Sequence, residues 1–199
     1  NKGNYMSGAT ANSYTATDSG RYLLNITNID GCSSQTQEVI VNVAPSPPAP
    51  LISTSSPTTF CEGDSVVLSV TNNPAYTYQW KLNGGVVGLN QSSLYAKSSG
   101  TYSLELTNSS DCRAVSSNTI LVTSNPKPAI PSVTVNGATD FCTGSNLVLS
   151  VTNKPEYVYQ WMNSGNYISG ATTYSFTATN TGKYVLMVTN ADGCSSMTQ

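Results

Sequence analysis

Histidine is absent from this 199-residue chain, and charge is scarce: 8 Lys and Arg against 10 Asp and Glu leave a net charge of -2. Without histidine, the commonest general base near neutral pH is missing. The six Asp and four Glu are scattered at turns or stand singly on strands, as Glu105 does, and no pattern pairs two of them across a cleft. No glycine-rich phosphate loop, Gly-x-Ser-x-Gly elbow or metal-ligand spacing occurs. Together these absences argue against an enzyme. Lys and Arg form no cluster that could neutralise phosphates, so nucleic acid is not an expected partner. The same lack removes a basic anchor for anionic lipid, and no apolar run approaches the roughly 20 residues of a spanning helix. Membrane insertion is therefore not expected either.

What is abundant is Thr, Ser, Asn, Val and Tyr, a composition suited to β-sheets with uncharged polar faces. The strongest signal is internal repetition. Asn1 to Gln37 aligns without gaps on Asn163 to Gln199, and 24 of the 37 positions are identical. Cys61 and Cys142 are 81 apart, as are Trp80 and Trp161, while Tyr22, Tyr102 and Tyr184 are spaced by 80 and 82. Cys32, Cys112 and Cys194 follow those tyrosines at the same interval. The period of about 81 residues divides the chain into the C-terminal part of a repeat (1–46), a complete repeat (47–126) and a repeat lacking its last strand (127–199). The first residue falls in mid-pattern, so the sequence reads as an excerpt. Proline-rich joints, "APSPPAPLIS" from Ala44 and "NPKPAIPSV" from Asn125, separate the units and should be short and semi-rigid.

Within the complete repeat, "SVVLSVT" places Val66, Leu68 and Val70 on one face, and "YTYQWKL" does the same for Tyr76, Tyr78, Trp80 and Leu82. The turn signal Asn83-Gly84-Gly85 follows, and later "TYSLELT" and "TILVT" alternate again. Some seven short strands per repeat predict an all-β chain of tandem immunoglobulin-like β-sandwiches joined end to end. The Gly-x-Tyr elements ending at Tyr22, Tyr102 and Tyr184 match the tyrosine corner of that fold. Trp80 and Trp161 sit where it buries a tryptophan. All five are assigned structural, core-forming roles.

The cysteines do not follow the usual immunoglobulin bridge, whose positions hold Val70 and Leu104, or Val151 and Leu186. They lie instead in "FCEGD" and "FCTGS" before the second strand of the sandwich, and in "DGC" or "SDC" after its second-last strand. Pairing within repeats would give Cys61–Cys112 and Cys142–Cys194. In this topology those positions lie at opposite poles, roughly 20 Å apart, whereas a disulfide needs Cα atoms within about 7 Å. A staple between neighbouring repeats would instead join Cys61 to Cys194. Cys32, Cys112 and Cys142 would then await partners beyond the excerpt or in incomplete copies. Free thiols are the third alternative. Regular cysteine spacing points to a bridged extracellular protein.

At "FCEGDSVVLSV", "YTYQWKLNGG", "SGTYSLELTNSSDC" and "GKYVLMVTNADGCSS" the chain resembles the immunoglobulin-like repeats of very large Bacteroidota surface proteins. The resemblance covers the whole chain and implies export by the type nine secretion system, a place at the cell surface, and a role in adhesion or gliding. The Ser110-Asp111-Cys112 variant, where the other copies have Asp-Gly-Cys, predicts a different turn in the second copy.

The expected function is a non-catalytic structural and adhesive stalk whose partners are neighbouring repeats of the same protein. A self-assembling filament, in which other copies of the chain complement broken units by strand addition, is one alternative. A carbohydrate-binding array is another, with Tyr5, Tyr95, Tyr167 and Tyr174 as a platform for surface glycans. No cofactor is expected. Calcium would have to draw on Asp30, Asp111, Asp140, Asp192 and Glu62, which tight turns account for more simply. Asn25, Asn90 and Asn108 begin N-glycosylation sequons, and Ser65 lies in "DSV", similar to a short O-glycosylation motif of Bacteroidota.

Overall fold

In the chain's computed structural model, which describes residues 5–199, every regular element is a β-strand. Alternation decides where they form. In Tyr76–Leu82 the odd side chains stay out of the core, while Tyr78 and Trp80 turn in and are buried. This strand pairs antiparallel with Gly100–Asn108 over seven residues, from Tyr102 opposite Leu82 to Asn108 opposite Tyr76. Asn83 and Gly84 close the hairpin to Gly85–Val87 with φ values of 49° and 83°. Both central residues of a type I′ turn need this left-handed backbone, which Asn and Gly tolerate best.

Two sheets enclose the first core. One runs in the order Ser93–Ala96, Val66–Ser69, Ser53–Thr54. The other runs Thr59–Cys61, Ile120–Asn125, Gly100–Asn108, Tyr76–Leu82, Gly85–Val87, and Arg113–Val115 also pairs with Gly100–Asn108. The first strand of this unit thus crosses from one sheet to the other, as Ser53–Thr54 and then Thr59–Cys61, and the later strands are divided between the two layers as in an immunoglobulin-like sandwich. Between the sheets lie Val66, Leu68, Tyr78, Trp80, Tyr102, Leu104, Leu106 and Val122. Burying each large apolar side chain contributes about 1.5–3 kcal/mol. Both positions of the usual immunoglobulin cystine are filled by this aliphatic packing, with Leu104 inside and Val70 against it.

A second core repeats the plan. Thr134–Asn136, Leu147–Ser150 and Ser175–Ala178 form one sheet, and Asn166–Tyr167, Val158–Asn163, Tyr184–Thr189 and Ser195–Met197 the other. Trp161, Leu186 and Val188 are fully buried between them. Both tryptophans satisfy their indole N–H on main chain, Trp80 donating to the Gln91 carbonyl at 2.9 Å and Trp161 to that of Thr173 at 3.0 Å.

Residues 5–44 carry the same local elements, with Gly20–Tyr22 against Val39–Val41 and Asn25–Thr27 against Ser33–Gln35, but contribute to neither buried cluster. The corner tyrosines behave alike in all three copies: the hydroxyls of Tyr22, Tyr102 and Tyr184 donate to the carbonyls of Asp18, Ser98 and Asn180 at 2.9, 3.0 and 2.7 Å. Only Tyr102 is fully buried. Tyr184 packs half-buried against the second core, and Tyr22 is half-buried outside any core. The corner glycine is needed for close approach as well as for backbone freedom. Gly100 has φ 145°, and a Cβ there would run into Leu82 and Asn83, while one on Gly182 would strike the Asn163 amide.

Candidate functional site: a disulfide at a proline junction

Three turns after the corner strands share one construction. In each, the first residue is an asparagine whose backbone N–H donates to the carbonyl of the cysteine four residues on: Asn28 to Cys32, Asn108 to Cys112, Asn190 to Cys194. Its side-chain Oδ1 in turn accepts from that cysteine's N–H at 2.8, 3.0 and 2.9 Å. The residue before the cysteine must take left-handed backbone, and Gly31, Asp111 and Gly193 do so with φ of 84°, 59° and 77°. The expectation of a different turn at Ser110-Asp111-Cys112 is therefore corrected. Asp111 adopts the glycine conformation because Asp is among the few residues that tolerate it.

These turns hold the proline segments. The Asn108 side chain donates to the Pro45 carbonyl at 2.8 Å, and Asn190 repeats the contact on Pro126 at 2.9 Å. Pro47 and Pro128 are buried, the Ser196 hydroxyl donates to Pro128 O at 2.7 Å, and Ser117 N–H donates to Pro50 O at 2.9 Å. Asn118 grips the next residues at both ends, accepting from Ile52 N–H at 2.8 Å and donating to Ile52 O at 2.9 Å. Proline carbonyls are strong acceptors with no N–H of their own to satisfy, which suits them to such one-sided docking.

Cys61 arrives at the second junction on a parallel strand. Thr59–Cys61 lies beside Ile120–Asn125 with Cys61 opposite Asn125, and the pairing is locked by Thr123 N–H to Thr58 O at 2.8 Å and Glu62 N–H to Asn125 O at 2.7 Å. Cys194, fully buried on its turn, has its sulfur 3.8 Å from that same Asn125 carbonyl. The two cysteines form a disulfide with Cα atoms 5.5 Å apart and a sequence separation of 133. The pairings Cys61–Cys112 and Cys142–Cys194 are thereby overturned. The carbonyl end of Ile120–Asn125 is the place where the strand carrying Cys61 and the turn carrying Cys194 both end.

The other cysteines are unpaired: Cys32 and Cys142 exposed, Cys112 half-buried. Among the described residues no group of three or more His, Cys, Asp or Glu could hold a metal, and Asp30, Asp111, Asp140, Asp192 and Glu62 are not brought together. Tyr95 lies on Ser93–Ala96, Tyr167 on Asn166–Tyr167, Tyr174 just before Ser175–Ala178 and Tyr5 ahead of the first strand; all four are exposed on separate elements. Ser65 is exposed in the turn before Val66. Asn90 accepts from Tyr78 N–H at 2.7 Å, and Asn108 is engaged in the turn, so both sequon amides have structural work.

Sequence reading missed the asparagine four before each cysteine, although Asn28, Asn108 and Asn190 repeat at the same period. It also missed the polar cluster on the outer face of the first core. Glu105 accepts from Lys81 at 2.6 Å and from Arg113 at 3.0 Å. The Lys81 hydrogen bond holds the Glu105 carboxyl below its ordinary value against the opposing effect of partial burial, and the two positive charges add to it.

No helix long and apolar enough to cross a membrane is present among the described residues. No family model and no curated protein matches the sequence. Among solved structures, the chain is similar to the human OSCAR ligand-binding domain, at 13% identity and a TM-score of 0.33 over 78% of this chain and 96% of that one. It is also similar to a crystal structure of titin domains, at 16% identity and a TM-score of 0.34 over 94% of this chain and 74% of that one. Neither likeness is close enough to carry an argument, and the immunoglobulin-like assignment rests on the strand order above.

Proposed function

We propose that this chain is part of a load-bearing stalk: tandem immunoglobulin-like units at 1–46, 47–126 and 127–199, joined end to end by docked proline linkers in a large, non-catalytic cell-surface protein. The observation that carries the reading is the Cys61–Cys194 bridge. Tension that enters before Cys61 and leaves after Cys194 crosses the sulfur–sulfur bond. Residues 62–193 then sit inside a covalent loop that contains the whole second core and all of the first except Ile52 and the half-buried Phe60 packed against that core. Hydrogen-bonded sheets inside that loop carry none of the load.

The two docked proline segments support the same reading, because a linker fixed by Asn108 or Asn190 limits bending between units. A disulfide is compatible with an oxidising compartment, which suits secretion and surface display. The resemblance to Bacteroidota surface repeats points to type nine export and to adhesion or gliding as the setting.

Single-molecule pulling from the two chain ends tests the proposal. The oxidised chain should hide up to about 450 Å of contour length, the extended span of the loop at ~3.3–3.6 Å per residue. Neither core should give an unfolding step until reductant is added, after which the full length is released. Equal extension with and without reductant would remove the load-bearing role.

A further inference from the structure

The first proline junction is built like the second, with one component missing. At the second, Asn190 holds the Pro126 carbonyl, the Cys194 sulfur lies 3.8 Å from the Asn125 carbonyl, and the strand Thr59–Cys61 supplies the bonded cysteine. At the first, Asn108 holds the Pro45 carbonyl and the Cys112 sulfur lies 3.6 Å from the Ala44 carbonyl.

The acceptor strand matches as well. Val39–Val41 pairs with Gly20–Tyr22 in the register by which Ile120–Val122 pairs with Gly100–Tyr102. The next residues are held straight by the same device: the Ser19 hydroxyl bonds both the N–H and the carbonyl of Val43, as the Ser99 hydroxyl does for Ser124. Asn42, Val43 and Ala44 therefore stand where Thr123, Ser124 and Asn125 receive the parallel strand. Among the described residues no strand pairs with them.

From this correspondence we infer that Asn42–Ala44 with Cys112 is a preformed half-staple that binds, and bonds covalently, an extended Phe-Cys-x-Gly strand of the Thr59–Gly63 kind from the repeat to which Asn42–Ala44 belong, as Thr59–Cys61 and Ile120–Asn125 share one unit. The inference rests on the stalk reading, in which the repeat array continues. The independent sign of a ligand is internal: the equivalent residues hold such a strand, through a disulfide, 81 residues on. The strand would run parallel to Asn42–Ala44, with its cysteine opposite Ala44 and the N–H after that cysteine donating to the Ala44 carbonyl, as Glu62 N–H donates to Asn125. Of the three unpaired cysteines, Cys112 alone has this geometry on the receiving side. Cys142 lies in "FCTGS" and is of the donor type.

The chemistry is thiol–disulfide exchange. A nine-residue peptide of the sequence Pro57–Ser65, its cysteine activated as a mixed disulfide with thionitrobenzoate, is added to the intact chain. The Cys112 thiolate attacks the peptide sulfur, the bond to thionitrobenzoate breaks, and thionitrobenzoate leaves as a coloured thiolate. One disulfide is consumed and one formed.

With a small activated disulfide, such as cystamine, exposed Cys32 and Cys142 should react first. With the peptide, the order should invert, Cys112 reacting about tenfold faster than either. A peptide N-methylated at the residue after its cysteine cannot bond Ala44 and should lose that preference, with no change to the protein. If peptide and small reagent label the three cysteines in the same order, or methylation has no effect, the half-staple is wrong. Spontaneous Cys112–Cys142 dimers on air oxidation would instead make a second copy the occupant and overturn the assignment. The Cys61–Cys194 bridge is mapped in the same digest. Its presence beside an unselective Cys112 sinks this inference alone, whereas its absence sinks the stalk reading too.

Discussion

Leu24 and Leu104 occupy the same place in two copies of one pattern, and they end in different surroundings. Each follows its corner tyrosine by two residues, and each backbone N–H donates to a hydroxyl on the returning strand, Thr36 for Leu24 and Ser116 for Leu104. Yet Leu104 is 0% exposed and Leu24 41%, and Leu106 is 4% exposed where its counterpart Ile26 is 54%. Strand pairing, corner and turn are local and form in both segments. Burial needs a second sheet, which Ser53–Thr54, Val66–Ser69 and Ser93–Ala96 supply to the complete sandwich and which residues 5–44 lack among the described strands. The pattern fixes register, and the second layer contributes most of the stability.

Four changes sharpen this contrast. The largest concerns the bridge. Closing a loop of 133 residues is worth about 5 kcal/mol on chain-entropy grounds, so Cys61→Ser should lower the unfolding midpoint in urea by a corresponding amount. An equal midpoint in oxidised wild type and variant would mean that the cores gain nothing from the link. Next, Leu104→Ala should cost about 2–5 kcal/mol, while Leu24→Ala, already half in solvent, should cost under about 1. Equal losses in denaturant titrations would show that residues 5–44 have a core of their own.

The turn that differs in sequence gives a smaller effect of opposite sign. Asp111→Gly should stabilise by about 0.5–1 kcal/mol, because glycine takes the left-handed backbone without strain, whereas Gly193→Ala should destabilise by about 1. Thermal melts of the two variants read the pair directly.

The smallest is electrostatic. The Glu105 carboxyl is held below its ordinary 4.5, so the unfolded state binds its proton more readily than the folded state does. Its contribution is fully present above pH 4.5 and is lost as the pH falls through the lower, folded value. Glu105→Gln should cost up to about 0.5 kcal/mol at neutral pH and flatten the acid limb of the stability curve. A variant with an unchanged acid limb would separate Glu105 from that loss.

Much of this was readable in the sequence because period-two alternation survives wherever a strand has one buried face. Tyr78, Trp80, Leu104 and Leu106 are visible from spacing alone, and so is the Asn83-Gly84 hairpin. Arg113–Val115 was not, since a strand of three residues is too short to show alternation. The last strand is in effect split, and the break is bridged by the Ser116 hydroxyl, as by Thr36 and Thr198 in the other copies. The role of Asn108 was hidden for a related reason: an Asn-x-Ser triplet reads as a sequon, and its bonds to Cys112 and Pro45 appear only when the turn is closed. The cysteine pairing was legible as a problem of distance, and the parallel seat of Cys61 beside Asn125 supplied what spacing could not.

Whether separate sandwiches are covalently coupled can be read most directly by digesting the native oxidised protein under non-reducing conditions and sequencing the cross-linked fragments. The account predicts a fragment joining Thr-Phe-Cys61 to Gly-Cys194 and none joining Cys61 to Cys112. A Cys61–Cys112 fragment would contradict it, uncoupling the two cores and leaving tension to the hydrogen bonds of their sheets.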